Sequence, residues 1–444
     1  VRTDALATDL YELTMAASYL ARGDSSVATF SCFVRRLPAE RTFLVACGLE
    51  GVLDRLDGLA FSEGDLAELE RLGFPASTLG EFASLRFSGD VLAVPEGTIV
   101  APDEPLLEIT APIAEAQLVE TLVLNQLSFP TAVASKAARC RVAAAGRIEL
   151  VEFGLRRADG LEAGMAVSRA AGIAGFAATS NVEGGARYGL RAAGTMAHSY
   201  VETFPSELEA FLAFGSQFPD RSTFLVDTYD TPTGVERAIE AIRTLGLAER
   251  ASIRIDSGDL VALAADARRR LDRAGLEKVR IMVSGDLDEY GLAELVAAGA
   301  LVDAAGVGTR LAVSADAPFL QSVYKLVEFD GRPVAKQSTG KANLPGAKQV
   351  FRRPGLRDTI ARRTEDGPAG ARPLLVPVMA DGRRVRARPA AAEAVRAARA
   401  RFESDLAELP PGALDLDKPE PLVAEVSEAL RHLTEQVRAG RANS

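Results

Sequence analysis

The chain has 444 residues, 48% of them apolar and 25% charged, which is the composition of a folded globular protein large enough for two or three domains and excludes disorder and collagen. Its net charge of −10 argues against general affinity for nucleic acid or anionic membrane and favours small-molecule partners. Cys32, Cys47 and Cys140 form no CxxC pair, so neither a disulfide framework nor a zinc site is expected, and a reducing cytoplasm fits. Histidine occurs only as His198 and His432, so any chemistry that needs an imidazole has two residues to choose from.

The opening VRTDALATDLYELT carries acids where a signal peptide needs a basic start and an apolar run, and no stretch of about eighteen apolar residues occurs. Neither export nor membrane insertion is expected. Residues 89–112, GDVLAVPEGTIVAPDEPLLEITAP, alternate short apolar runs with Pro and Gly turns and predict consecutive β-hairpins. A lipoyl or biotinyl carrier is excluded for this segment, because such a carrier needs a lysine at a hairpin tip and the first lysine is Lys136.

From about residue 147 to 309, β-branched apolar runs recur between stretches of helical character. Strands are predicted at 148–153, 173–179, 194–197, 223–226, 252–255, 280–283 and 301–306. Strand–helix units of 20 to 30 residues make a parallel sheet, and seven in succession fit a closed or nearly closed (β/α) barrel, irregular because no eighth strand is evident. Beyond it, VYKLVEFDGRPVAKQS and PLLVPVMADGRRVRA each carry an Asp-Gly hairpin signal, and helices are expected near 391–409 and 421–439. Between 352 and 401 there are thirteen arginines against five acids; without interleaved aromatics this is a solvated or intersubunit face, and no nucleic-acid partner is expected. The fold class is therefore α/β: a barrel domain at 131–321, an α+β N-terminal domain at 1–130, and C-terminal hairpins and helices at 322–444 that partly complete the latter.

Every predicted strand runs into polar or glycine-rich residues: Glu152-Phe153-Gly154 with Arg156, Thr179-Ser180-Asn181, Thr195 and His198, Asp227, Asp256-Ser257-Gly258, Ser284-Gly285-Asp286, and Gly306-Val307-Gly308-Thr309. In (β/α) barrels the site is built on the C-terminal strand ends, so the alignment predicts one pocket. Gly308 and Thr309 suit a phosphate ester, since glycines let backbone approach a ligand closely. Asp227, Asp256 and Asp286 suit Mg²⁺ shared with phosphate oxygens, or a ribose diol; each is equally able to cap the following helix. Arg254 alternates with Asp256 and should share its face, where a guanidinium meets phosphate or carboxylate bidentately. His198 lies among these groups as a general base or nucleophile, whereas His432 lies on a polar tail helix.

With these motifs in order, ATDLYELTM, LNQLSFPTAVASKAAR, VEFGLRRADG, ATSNVEGGARYG, GTMAHSYVE, LVDTYDT, IRIDSGDL, GVGTRL, VYKLVE and LPGAKQVFR, the chain resembles the nicotinate phosphoribosyltransferases of the barrel-containing type II class over nearly its whole length. The resemblance implies phosphoribosyl transfer from phosphoribosyl pyrophosphate to nicotinate, giving nicotinate mononucleotide and pyrophosphate for NAD biosynthesis, coupled to ATP hydrolysis through phosphorylation of His198. It implies Tyr11, from the neighbouring subunit of a homodimer with shared active sites, and Phe153 as faces for the pyridine ring. Arg156, Thr195 and Arg254 would be in the substrate pocket, Gly308 and Thr309 on phosphate, and Asp227, Asp256 and Asp286 on Mg²⁺, pyrophosphate and ribose. Nicotinamide phosphoribosyltransferases carry an aspartate where this chain has Ser180; serine leaves a substrate carboxylate unopposed, so acid over amide is expected. A non-catalytic nucleotide-sensing barrel is the alternative of another class.

Overall fold

The computed structural model describes residues 4–336 and 343–442. They divide into two compact units, one within 1–132, 317–390 and 400–444, the other within 133–316 and 391–399.

The first unit is mainly antiparallel, the exception being the parallel pairing of Arg357–Arg362 with Glu425–Val426. Its larger sheet runs in the order Arg332–Pro333, Ser322–Phe329, Val27–Val34, Pro105–Pro112, Asp90–Ala93, Val376–Ala380, Arg383–Arg384, so strands from late in the chain flank the N-terminal ones on both sides. Both Asp-Gly hairpins form: Asp330 and Gly331, and Asp381 and Gly382, all have positive φ, as a two-residue turn of matching twist requires. The 89–112 segment differs from the expected run of hairpins. Asp90–Ala93 pairs with Pro105–Pro112, while the intervening Ile99–Val100 pairs instead with Leu44–Val45. Phe30 and Tyr324 stack at 4.8 Å within the core of this unit. The tail helix forms at Glu428–Ala442, shorter than expected because 421–427 is largely extended.

The second unit is a parallel sheet of seven strands, β1 (Glu149–Glu152), β2 (Ala178–Thr179), β3 (Arg191–Ala192), β4 (Thr223–Leu225), β5 (Ser252–Ile255), β6 (Arg280–Val283) and β7 (Ala304–Val307), in the order β3-β2-β1-β7-β6-β5-β4. Each strand lies beside its neighbours in sequence and β7 returns to β1, so the ring is that of a (β/α) barrel, opened between β3 and β4. The expected irregular (β/α) barrel of seven strands is thus met as a parallel half-barrel open at one seam. The cause is local: β3 is two exposed residues, and the segment after it is taken up by helices His198–Glu202 and Glu207–Gln217. Two strand positions also shift. The predicted 173–179 strand is reduced to Ala178–Thr179 because helix Leu161–Ile173 continues through Ile173, and the 194–197 strand is a loop, pairing having ended at Ala192. Residues 391–399 open the helix Ala391–Ala407 yet belong to this unit, where Arg399 donates to the carbonyls of Gly175 and Phe176.

A buried ion cluster stiffens the β6–β7 side. Lys136, 1% exposed, reaches Glu289 at 2.6 Å and Asp316 at 3.1 Å, and Arg139 donates to Glu289 at 2.8 Å. Glu289 starts the helix after β6 and Asp316 follows the turn after β7, so one ammonium ties together the segments beyond two adjacent strand ends. Breaking a buried pair strands its partner charges. Lys136→Met is expected to lower unfolding free energy by about 3 kcal/mol in urea titration; an unchanged midpoint would contradict this.

Candidate active site

The groups expected at the strand ends do converge, and Arg254 is their hub. It stands on β5, and its guanidinium donates to Thr195 Oγ1 (2.7 Å), Ser284 Oγ (2.7 Å) and Asp256 Oδ1 (2.6 Å). Its Cζ lies 5.5 Å from the centre of the Phe153 ring, within cation–π range. These contacts join the ends of β1, β3, β5 and β6. Ser284 Oγ also donates to Asp256 Oδ1 at 2.5 Å.

Asp227 follows β4 and takes up its neighbour's backbone: Asp227 Oδ2 accepts from the Asp256 N–H (2.8 Å) and Ser257 Oγ (2.7 Å). Its Oδ1 is buried without a hydrogen-bond partner. Such an oxygen is costly to leave unanswered and marks a place for a cation or hydroxyl. None of Asp227, Asp256 and Asp286 caps a helix. That work falls to Asp230, Asp259 and Asp288, two or three residues further on, whose side chains accept from the Thr233, Ala262 and Tyr290 N–H groups. Division of labour between the two sets leaves the strand-end carboxylates free for the pocket.

Asp256 is half-buried. Burial acts to raise its pKa, but the Ser284 hydrogen bond and the Arg254 charge outweigh burial and hold the carboxyl below its ordinary value. His198 is the first residue of helix His198–Glu202; its Nδ1 is 3.2 Å from Thr228 Oγ1 and its Nε2 3.8 Å from Asp256 Oδ2. The His198–Thr228 contact links the loops after β3 and β4 across the open edge of the sheet, where no ladder bond joins them.

Phe153 is seated against a missing side chain. A Cβ on Gly306 would lie 2.5 Å from the Phe153 ring, so that glycine is a steric requirement of the ring's position, and one on Gly308 would crowd the Phe153 carbonyl oxygen at 3.1 Å. Asp286 is exposed with φ of 47°, next to Gly285, where a Cβ would meet the Asp256 carbonyl oxygen at 2.1 Å. Ser180 and Thr309 are exposed at the ends of β2 and β7. Arg156 and Arg157 are both exposed on the short turn Leu155–Arg157. Tyr11 belongs to the first unit, on helix Leu10–Ala21, with 50% of its surface exposed. Ser284, the hydroxyl that closes the apolar run RIMV, is among the strand-end groups expected from sequence, whereas Thr228, next to Asp227, is not.

Among the described residues no three His, Cys, Asp or Glu side chains stand together as a metal site. An ion bound here would need oxygens from its ligand, which is how Mg²⁺ is usually held beside phosphates. Asp227 Oδ1 and Asp256 Oδ2 are the protein oxygens that fit it.

A parallel half-barrel with ionic and hydroxyl groups gathered at its C-terminal strand ends has the architecture of a barrel-class enzyme. Residues 6–128 match the nicotinate phosphoribosyltransferase N-terminal domain and residues 148–352 the nicotinate phosphoribosyltransferase family. A nicotinate phosphoribosyltransferase of Mycobacterium tuberculosis, pncB2, is 48% identical over 388 residues, covering 86% of this chain and 83% of its own; one of Bacillus subtilis is 40% identical over 359 residues, covering 78% and 72%. The crystal structure of human nicotinic acid phosphoribosyltransferase aligns with a TM-score of 0.83 at 28% identity, over 97% of this chain and 99% of that one. The chain belongs to the nicotinate phosphoribosyltransferase family.

The depressed pKa of Asp256 gives a pH test. Its ionised form contributes stability that is fully present above the unfolded value of about 3.9 and is lost as pH falls through the lower folded value. Asp256→Asn is expected to melt below the wild type at pH 7, with the difference closing below about pH 4. A difference in melting temperature that stays constant from pH 7 to 3 would contradict this.

Proposed function

We propose that the chain transfers the phosphoribosyl group of phosphoribosyl pyrophosphate to the ring nitrogen of nicotinate, releasing pyrophosphate and giving nicotinate mononucleotide for NAD salvage. The observation that carries this reading is Arg254 beside Phe153. Three of the five guanidinium N–H groups are used on Thr195, Ser284 and Asp256, which leaves two for a carboxylate next to an aromatic face. A pyridine carboxylate presents both a ring and an anion. Tyr11 of a second copy in a homodimer would cover the other ring face; its half-exposed position supports this. Arg156 adds positive charge near the ring, and Ser180, being uncharged, leaves the substrate carboxylate unopposed.

In the transfer, the bond from ribose C1 to the pyrophosphate oxygen breaks and a bond from C1 to the pyridine nitrogen forms. The pyrophosphate leaves with its electron pair. Gly308 and Thr309 receive the 5-phosphate through the backbone that follows β7, and Asp286 a ribose hydroxyl. Asp227 and Asp256 would hold Mg²⁺ through the two oxygens named above, and the ion would neutralise charge on the departing pyrophosphate. Arg254 restrains Asp256, and Asp227 holds the Asp256 backbone, so the carboxylates keep their spacing through turnover.

His198 is the proposed site of ATP coupling. Its Nδ1 is engaged by Thr228, so Nε2 is the nitrogen left to attack the γ-phosphorus, displacing ADP. A phosphoramidate there adds negative charge beside Asp256, a change able to reorganise the pyrophosphate loops until hydrolysis removes it. Among the described residues no helix is long and apolar enough to cross a membrane, and the three cysteines are buried and unbridged, which supports a cytoplasmic enzyme.

Purified protein with phosphoribosyl pyrophosphate is expected to consume nicotinate in preference to nicotinamide, and faster with ATP. Product from nicotinamide alone would overturn the Ser180 argument, and no product from either pyridine would overturn the function and favour a sensing barrel. After incubation with ATP, acid-labile phosphate is expected on the wild type and not on His198→Ala; its persistence in the variant would remove His198 from the coupling.

A further inference from the structure

Glu152 closes β1 between Val151 and Phe153 and has no exposed surface. A carboxyl is costly to bury unless donors answer it, and an apolar side chain would fill the same place at less cost. Its donors therefore say what it is for. Oε1 accepts from the Gly154 N–H, and Oε2 accepts from Thr179 Oγ1 and, at 3.0 Å, from Ser168 Oγ. The first bond shapes the turn that carries Phe153 out of β1. The other two lead to Ser180. Thr179 Oγ1 accepts the Asn181 N–H at 3.0 Å, Ser168 Oγ accepts from Asn181 Nδ2 at 3.1 Å, and Ser180 itself donates its N–H to the Glu152 carbonyl at 2.8 Å.

Both neighbours of Ser180 are thus anchored, directly or through one hydroxyl, on the carboxyl that also sets the Phe153 turn. Space around it is as closely specified. A Cβ on Gly154 would lie 2.8 Å from Glu152 Oε1, and one on Gly184 would lie 2.8 Å from Ser168 Oγ. We propose that Glu152 is a positioning and specificity-determining residue: it holds Phe153 and Ser180 at one spacing, so that the pocket between them selects a pyridine carrying a carboxylate. The inference deepens the proposed function and rests on it.

The test compares Glu152→Gln, Thr179→Val and Thr179→Ser with the wild type. Thr179→Val removes the linking hydroxyl at nearly constant volume, and Thr179→Ser keeps it. Glu152→Gln and Thr179→Val are expected to raise KM for nicotinate about tenfold, as loss of a hydrogen bond to a charged group does, and to lower the preference for nicotinate over nicotinamide. KM for phosphoribosyl pyrophosphate should stay within about twofold, and Thr179→Ser should behave as wild type. A parallel rise in both KM values, or a lowered melting temperature with unchanged kinetics, would overturn the proposal. If the wild type converts no pyridine, the functional reading fails while calorimetry with nicotinate still tests Glu152: binding weakened in Thr179→Val and not in Thr179→Ser supports it, and equal binding, or none to the wild type, overturns it.

Discussion

The second unit depends on one guanidinium. An open sheet of seven short strands has no ladder bonds between β3 and β4, so across that gap the strand ends are joined only by side chains. Arg254 supplies a side-chain link across it from β5, the strand paired with β4. Its planar fork reaches Thr195 beyond β3, Ser284 at the end of β6 and Asp256 beyond its own strand, while its flat face lies toward Phe153 from β1. A lysine would offer a point charge and no fork. The same group that organises the pocket retains two donors for a ligand, so architecture and recognition are not separable there.

Around this hub the chain uses absent side chains as deliberately as present ones. The Phe153 ring occupies the space a Cβ on Gly306 would need, and Gly285 brings its backbone against the Asp256 carbonyl. Buried charges do a complementary task away from the ligand. Lys136 ties the segments beyond β6 and β7, and Glu152 ties the turn after β1 to the residues flanking Ser180. Both hold loops from below, while the residues expected to meet substrate remain accessible above them.

Much of this was legible in the sequence because strand ends in a parallel barrel carry chemistry, and the runs IRID and RIMVSGD announce their own boundaries by an abrupt change from β-branched to polar residues. Strands β5 and β6 match their expected limits. The failures are equally physical. The 194–197 run reads as a strand because Met196 and Ala197 are apolar, but Met196 is buried in a loop whose pairing has already ended at Ala192. The 173–179 run mixes the end of a helix with two strand residues, since a buried helix and a buried strand share composition. Seven strands without an eighth were expected and are found, but the place where the ring opens depends on which strands pair and not on which strands exist. The uncertainty over capping aspartates disappears once Asp230, Asp259 and Asp288 are seen to cap, a distinction of two or three residues that spacing alone does not decide.

The Arg254 fork, not merely its charge, organises the pocket for a pyridine carboxylate. The direct measurement is kcat/KM for nicotinate in Arg254→Lys, alongside the melting temperature. A fall of about a hundredfold is expected in a protein that remains folded, because lysine cannot hold Thr195, Ser284, Asp256 and a carboxylate at once. A folded Arg254→Lys variant within about threefold of the wild type would show that positive charge alone suffices, and would contradict it.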